Sequence, residues 1–349
     1  MQRTVIFSPG PSTRSSPLLS PDEFIVSLDG LKSQPSSDRR PIDYDVARAV
    51  QSLAPPRNDA SLVVCVWDSD GMCSPFNLAP LKCPKVLVLG DTHHGLRPLS
   101  RAITLAQQEP WNLIVLTYNN HHIHWFDEAG LGSGRTIFIP SIGLAPIRLE
   151  VPRQRSRGVT FCGNLGPPHV FRRWFIRALQ ERSITIEVHE GDQAYCARIY
   201  NESVVSLNLS LNGDFNQRNF EIVAAGGFCL ADRTACEPPV CVGQTCKDVE
   251  EAEKIIRHML AHPEESLAIA RRDHETYWSS RTPPRDLQTL LAALAAPKGN
   301  RFSPTATFHD RLTMYEDMQE LNRQGRVHWE DFDDLRRWPP ETYPGALLF

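Results

Sequence analysis

The stretch Ser203 to Ala231, SVVSLNLSLNGDFNQRNFEIVAAGGFCLA, decides the fold. Val204 to Leu209 is apolar and rich in β-branched residues, the composition of a buried strand. Asn212, Gly213 and Asp214 break the pattern with turn chemistry. Asn216 is placed to cap a helix over Gln217–Ala225, and Gly226 with Gly227 suits a left-handed helix end. Phe228 to Ala231 is apolar again, so the order is strand, polar loop, helix, strand. A loop that opens onto a helix N-terminus, with Arg218 in the first turn, suits a phosphate. Glu221, one turn on, can accept hydrogen bonds from sugar hydroxyls. The same residues also fit an ordinary β-loop-α unit with a solvated arginine and glutamate.

The pattern repeats on both sides. Val159–Cys162 predicts a strand, Gly163 to Pro168 a turn, His169–Arg182 a helix, Ile184–Val188 a strand and Ala194–Asn201 a helix. Downstream, Asp248–Ala261 puts Val249, Ala252, Ile255, Ile256 and Met259 on one helical face, and Pro263–Trp278 is a second helix. Upstream, Thr4–Phe7, Leu62–Trp67, Val86–Leu89, Leu113–Thr117 and Thr136–Ile139 read as strands. Tyr44–Leu53, Leu96–Gln108 and His121–Ala129 read as helices. Ser8 to Arg40, rich in Ser and Pro, reads as irregular, with one apolar island at Phe24–Leu28. Strands alternating with helices imply α/β structure with parallel sheets. The Pro- and Arg-rich stretch Ala145 to Arg157 reads as a linker. The expected division is therefore 1–150, 151–297 and a C-terminal extension, 298–349, with a helix over Asp310–Arg323.

Composition narrows the function. The 349 residues are 41% hydrophobic and 22% charged, with a formal net charge of −4, which argues against bulk nucleic-acid binding. No run of 18 apolar residues suggests a transmembrane helix, and the apolar core of MQRTVIFSPGPSTRSS is too short for a signal peptide. Nine scattered cysteines fit reduced thiols and a cytoplasmic location. Cys236, Cys241 and Cys246 lack zinc-ligand spacing, and His121, His122 and His124 have no accompanying carboxylate or cysteine pattern, so no metal site is expected.

Several blocks, in order, resemble the glycosyltransferases related to the spore-maturation CgeB proteins. They are VTFCGNLGPPHVFRRWFIRAL (Val159–Leu179), YCARIYNESVVSLNLS (Tyr195–Ser210), NQRNFEIVAAGGFCLAD (Asn216–Asp232) and KIIRHMLAHPEESLAIARRDHETY (Lys254–Tyr277). In the first half, GDTHHG resembles an Asp-x-His after a central strand, at Asp91 and His93. The resemblance implies a GT-B architecture: two tandem Rossmann-like domains with a cleft between them, the second binding a nucleotide sugar and the first facing the acceptor. It departs from the family pattern at Gly213, which stands eight positions before Glu221, where retaining enzymes of this architecture often carry a second glutamate.

Glycosyl transfer requires a held diphosphate, a deprotonated acceptor and exclusion of water. On the implied roles, Gly163, Asn164, Asn216 and Arg218 bind the donor diphosphate and Glu221 the ribose, without a metal or other cofactor. Asp91 and His93 serve as acceptor-side acid–base groups, with His94 a weaker candidate; the alternative for Asp91 is a helix cap, and for the histidines a turn lining. Tyr195 and Asn208 read as structural. The acceptor is a glycan, a lipid-linked sugar or a protein. Two other functions stay open: a nucleotide-sugar epimerase, for which no acidic pair is evident, and a non-catalytic GT-B-like scaffold.

Overall fold

The computed structural model describes residues 3–8, 23–28, 42–67, 73–93, 95–144, 146–166, 169–232, 243–280 and 283–327. These form two compact units. The first takes in the described residues up to 143 together with 283–317. The second takes in 144–280 and 318–327.

In the first unit the chain runs β1 (Thr4–Ser8), β2 (Glu23–Ser27), β3 (Ile42–Asp45), α1 (Val46–Gln51), β4 (Leu62–Trp67), β5 (Cys73–Phe76), β6 (Lys85–Leu89), α2 (Pro98–Gln108), β7 (Leu113–Leu116), α3 (Ile123–Phe126) and β8 (Thr136–Phe138). Six strands make one sheet in the order β2-β1-β4-β6-β7-β8, all neighbours parallel. The inner strands LVVCVW, KVLVL and LIVL are almost wholly buried, as expected for strands covered on both faces. Parallel register sets Val64 beside Val86 and Val88 beside Val115, so one face gathers Ile6, Leu62, Val64, Val86, Val88, Leu113 and Val115.

Three expectations change here. The apolar island at Phe24–Leu28 is not irregular, because Glu23–Ser27 pairs along the outer edge of β1, Phe24 opposite Val5. Tyr44 does not start a helix. It lies in β3, paired with β5, and the Asp45 side chain accepts from Arg48 N–H at 2.9 Å, which starts α1 at Val46. The helix expected from Leu96 begins at Pro98, after Arg97 in the left-handed region at φ 51°.

The second unit runs β9 (Arg157–Cys162), α4 (Val170–Glu181), β10 (Ile186–His189), α5 (Gln193–Glu202), β11 (Ser203–Asn208), α6 (Arg218–Ala224), β12 (Cys229–Asp232), β13 (Gln244–Cys246), α7 (Val249–Ala261) and α8 (Pro263–Ser280). Its five parallel strands lie in the order β10-β9-β11-β12-β13. The chain therefore reverses its winding between β9 and β11, and that switch is where open α/β sheets bind ligands, outside the carboxyl ends of the strands. The sheet is packed with Phe161, Val205, Leu207, Phe228 and Leu230, and α4 and α7 cover it with Phe175, Leu179, Ala252 and Ile256.

Two further helices follow, α9 (Pro283–Ala295) and α10 (Phe308–Arg323). Leu290 of α9 is buried in the first unit's core, against β1, β4, β6 and β7. Helix α9 thus belongs with 1–143, although sequence placed it inside 151–297. Along its first three turns α10 is equally tied to that unit. Phe308 and Tyr315 pack on Trp125, and Arg311 pairs with Glu128 at 2.7 Å. Glu316 Oε1 accepts from Ser100 N–H at 2.8 Å, capping α2 in place of Arg97, whose side chain makes no cap bond.

Candidate functional site

The carboxyl ends of β9 and β11 carry the first group of candidate residues. Asn208 ends β11; the loop to Gln217 then returns the chain to α6. Its turn is made by Asn212 and Gly213, at φ 56° and 69°, and is fastened by Asp214, whose carboxylate accepts from Leu211 N–H. Helix α6 starts at Arg218 with Gln217, not Asn216, at its cap position. Asn216 still holds the entry, since its Oδ1 accepts from Arg218 N–H at 3.0 Å. The helix has seven residues and closes on Gly226 at φ 74°, with Gly226 N–H bonded to Val223 O and Gly227 N–H to Ile222 O, the paired bonds of a Schellman end. So short a helix supplies little dipole of its own, and the strong positive charge here is Arg218.

Arg218 turns back over the switch point. Its Nη1 donates to Asn208 Oδ1 at 3.2 Å, and its guanidinium carbon lies 5.2 Å from the centre of the Phe161 ring. Its Nη2 lies over Gly163, where a β-carbon would meet it at 2.5 Å. Gly163 is anchored by its N–H to His189 O at 2.9 Å. Asn164 is exposed and turns its Oδ1 onto Gly166 N–H, closing the loop. Glu221 sits one turn after Arg218, and Gln193 Nε2, at the start of α5, donates to it at 3.4 Å. Burial raises the Glu221 carboxyl, while Arg218 and Gln193 pull it down. Below, burial pushes the Cys162 thiol up to about 12, so it remains a neutral thiol. Arg218, Gly163, Asn208 and Glu221 thus form one cluster. Asn208, read as structural, is part of it; its position at the end of a buried strand was the available signal.

The first unit gathers Asp91, Thr92 and His93 at the carboxyl end of β6, beside Asn119 and His122 beyond β7. Thr117 ties the two strand ends together, its hydroxyl within reach of Leu89 O at 2.9 Å and Gly90 O at 2.8 Å. His93 Nδ1 stands 2.9 Å from Asp91 Oδ1 and 2.7 Å from Asn119 Oδ1. Both are acceptor oxygens, so Nδ1 carries the proton; it donates to Asn119 Oδ1 and keeps Asp91 Oδ1 at ion-pair distance. Thr92 Oγ1 lies 3.2 Å from Asn119 Oδ1 and 2.8 Å from His122 Nδ1. His122 Nε2 reaches Tyr315 Oη on α10 at 3.0 Å. Burial holds His122 well below the usual histidine range, aided by His121, His93 and His124. His93 is 1% exposed at its side chain and Asp91 19%, so the carboxylate is the accessible member of the pair. Asn119 and Tyr315 had no sequence signal; His122 stood out only as one of three clustered histidines read as surface or cleft lining, and it is fully buried.

His94, Cys236 and Cys241 lie outside the described residues. Cys246 is buried in β13, its Sγ 3.4 Å from Ala231 O. Among the described residues the grouping with metal-like spacing is His262, Glu264 and Glu265, all exposed. Among the same residues no helix is long and apolar enough to cross a membrane.

Comparison with known proteins bears on the fold. Residues 171–292, about a third of the chain, match the family described as glycosyl transferase-like. No curated protein matches the sequence. Among solved structures, HepE of Anabaena in complex with UDP superposes with a TM-score of 0.52 at 14% identity, over 84% of this chain and 100% of that one. Sucrose-phosphate synthase of Thermosynechococcus elongatus gives 0.51 at 11%, over 84% and 98%. TarM gives 0.46 at 10%, over 67% and 55%, so this chain spans little more than half of that protein. The fold is GT-B: two parallel α/β units of Rossmann type.

Proposed function

We propose that the chain is a glycosyltransferase that uses a nucleotide sugar. The observation that carries the reading is Arg218, bound to Asn208 and lying over Gly163 at the switch point of the second sheet, with Glu221 one turn away. A planar, permanently charged guanidinium over a bare backbone fits a diphosphate. A carboxylate next to it fits the vicinal hydroxyls of a ribose. HepE, a protein of the same fold, was crystallised with UDP and with UDP-glucose, which supports a nucleotide sugar as the ligand class. Arg218 supplies the charge opposite the leaving diphosphate, so the reaction is assigned no metal and no other cofactor. The block order within 158–280 favours the spore-maturation type of transferase, with a glycan, lipid-linked or protein acceptor.

Asp91 is assigned the acceptor. The acceptor hydroxyl oxygen bonds to the anomeric carbon, the bond from that carbon to the diphosphate breaks, and the hydroxyl proton passes to the Asp91 carboxylate. His93, buried with Nδ1 2.9 Å from Asp91 Oδ1, stands beside that carboxylate and orients it.

The deciding experiment incubates the protein with UDP-, GDP-, dTDP- and ADP-sugars, with and without acceptor extracts. Nucleoside diphosphate released only with acceptor supports transfer, and conversion of a lone nucleotide sugar to its isomer overturns it in favour of epimerisation. A second reading, a non-catalytic scaffold, is favoured by the near-complete burial of His93. Wild-type and Asp91→Asn proteins separate the two: turnover lowered about 10²-fold or more with donor binding intact supports catalysis, and no turnover by either supports the scaffold.

A further inference from the structure

We propose that Tyr315, on the C-terminal helix α10, is a positioning residue that fixes the order of protons in the buried network ending on His93 and Asp91. The inference rests on the role given to Asp91 above, but its main readout does not require activity.

The network has one self-consistent arrangement when read from its fixed ends. The Asp91 carboxylate, 2.9 Å from His93 Nδ1, favours a proton on that nitrogen, which donates to Asn119 Oδ1. Asn119 presents its oxygen here because two donors converge on it, His93 Nδ1–H and the Thr92 hydroxyl at 3.2 Å. If Thr92 gives its single proton to Asn119, its oxygen must accept from His122, so His122 Nδ1, at 2.8 Å, carries hydrogen. Burial keeps His122 neutral, which leaves Nε2 with a lone pair. That nitrogen lies 3.0 Å from Tyr315 Oη, and the phenol hydroxyl is the donor that completes the order. All the bonds then point the same way, from Tyr315 through His122 and Thr92 to Asn119. Bonds aligned in this sense strengthen one another in a water-poor interior.

The opposite order is available if Tyr315 does not donate. His122 then carries its proton on Nε2, and Thr92 turns its hydroxyl to His122 Nδ1. Asn119 then loses the Thr92 donor, and its oxygen is held by His93 Nδ1–H alone. Edge-on packing of the His122 and Tyr315 rings, 5.5 Å apart and 87° between planes, keeps the imidazole in place in either order. Tyr315 therefore selects between two proton arrangements of one heavy-atom geometry.

The test is nitrogen-15 NMR of the histidine side chains, in wild type and in Tyr315→Phe, with steady-state kinetics alongside. Wild type is expected to show His122 and His93 both protonated at Nδ1. In Tyr315→Phe, His122 is expected to shift to the Nε2–H form or to exchange between the two, and kcat to fall about tenfold, the lower end of what losing a supporting hydrogen bond around a reactive group costs. Donor KM is expected to stay unchanged. Thr92→Val, which cuts the network at its middle, is expected to leave His122 in the Nδ1–H form, because Tyr315 still donates to Nε2; an Nε2–H form there overturns the selecting role of Tyr315. An Nε2–H form of His122 in wild type overturns the proposal without any variant. So does an unchanged His122 signature in folded Tyr315→Phe, or an unchanged kcat in that variant when Asp91→Asn is impaired. If wild type turns over no donor, the predicted tautomers still uphold the proton order, and only the transferase reading falls.

Discussion

Arg218 fills the space that residue 163 leaves open: a β-carbon at Gly163 would stand 2.5 Å from Arg218 Nη2. The obstructing atom is the end of a long side chain, so Gly163→Ala is expected to displace the guanidinium rather than break the fold. The backbone there, at φ 154°, adds strain of about 1 kcal/mol or more. Nucleotide affinity is expected to drop about tenfold, equivalent to ~1.4 kcal/mol. Calorimetry with UDP and GDP on the folded variant measures it; wild-type affinity would detach Arg218 from the ligand.

Replacing Arg218 distinguishes charge from shape. Arg218→Lys keeps the charge but loses the planar contact with Phe161 and the fixed bond to Asn208. Arg218→Ala is expected to reduce kcat by ~10²–10³, the usual loss for one charge-stabilising donor, with Lys in between. Glu221→Ala is expected to remove nucleotide-induced thermal stabilisation while a pyrophosphate-induced shift persists. Loss of both shifts together would mean that Glu221 acts on the diphosphate or on the fold.

Glu316 is expected to matter for stability rather than activity. Its buried carboxylate accepts from both the N–H and the hydroxyl of Ser100, and burial raises it while those bonds oppose the rise. Glu316→Ala leaves two donors at the start of α2 without their partner. The cost is about 1–3 kcal/mol, measurable as a lower urea midpoint. A midpoint unchanged from wild type would show that solvent replaces the cap.

Asp232 predicts a pH dependence. It is buried at the end of β12 and takes both the N–H and the hydroxyl of Ser210, at 2.7 and 2.6 Å. Burial pushes it up to about 7; the Ser210 bonds and Arg172 pull down, and Asp214 adds to the rise. An unfolded aspartate titrates near ~3.9. From about pH 4 to about pH 7 the folded protein therefore keeps a proton that the unfolded chain has lost. Stability falls across that window by up to ~1.4 kcal/mol per pH unit from this group and levels off above it. Asp232→Asn is expected to flatten the profile of urea midpoint against pH between 4 and 7. Parallel wild-type and variant profiles would refute the shift.

Sequence showed the inner strands of the two large sheets because parallel strands buried on both faces read as apolar runs, as LVVCVW and KVLVL do; the short, more polar β3, β5 and β13 gave no such run. It showed the Gly226–Gly227 helix end because two glycines at that position have a specific backbone use. It missed β2, whose three central residues are apolar but sit within a Ser- and Pro-rich stretch. It missed α9 and the allegiance of α10, since an amphipathic helix does not state which sheet it covers. Of the candidate site, Arg218 and Glu221 were visible through their spacing on one helix. Asn208 entered only when the guanidinium was seen to fold back over the strand ends. Asn119, His122 and Tyr315 come from three separate segments, and nothing local in any of them signals that they meet.

The first unit is discontinuous along the chain. Its core takes Leu290 and its α2 cap comes from Glu316, while residues 144–282 belong to the second unit. During synthesis the sheet of the first unit therefore emerges without the helices that finish it and waits for about 170 more residues, some 10–30 s at ~5–20 residues per second. The second unit also draws on 318–327, but its five strands and helices α4 to α8 all lie within 144–282, so its sheet is covered first. Maturation on the ribosome is thus expected to run against the order of synthesis, leaving a period in which the earlier half depends on chaperones. Proteolysis of nascent chains arrested with residue 282 just outside the exit tunnel checks this. Resistance is expected in the later unit only, and an already resistant first unit would contradict the order.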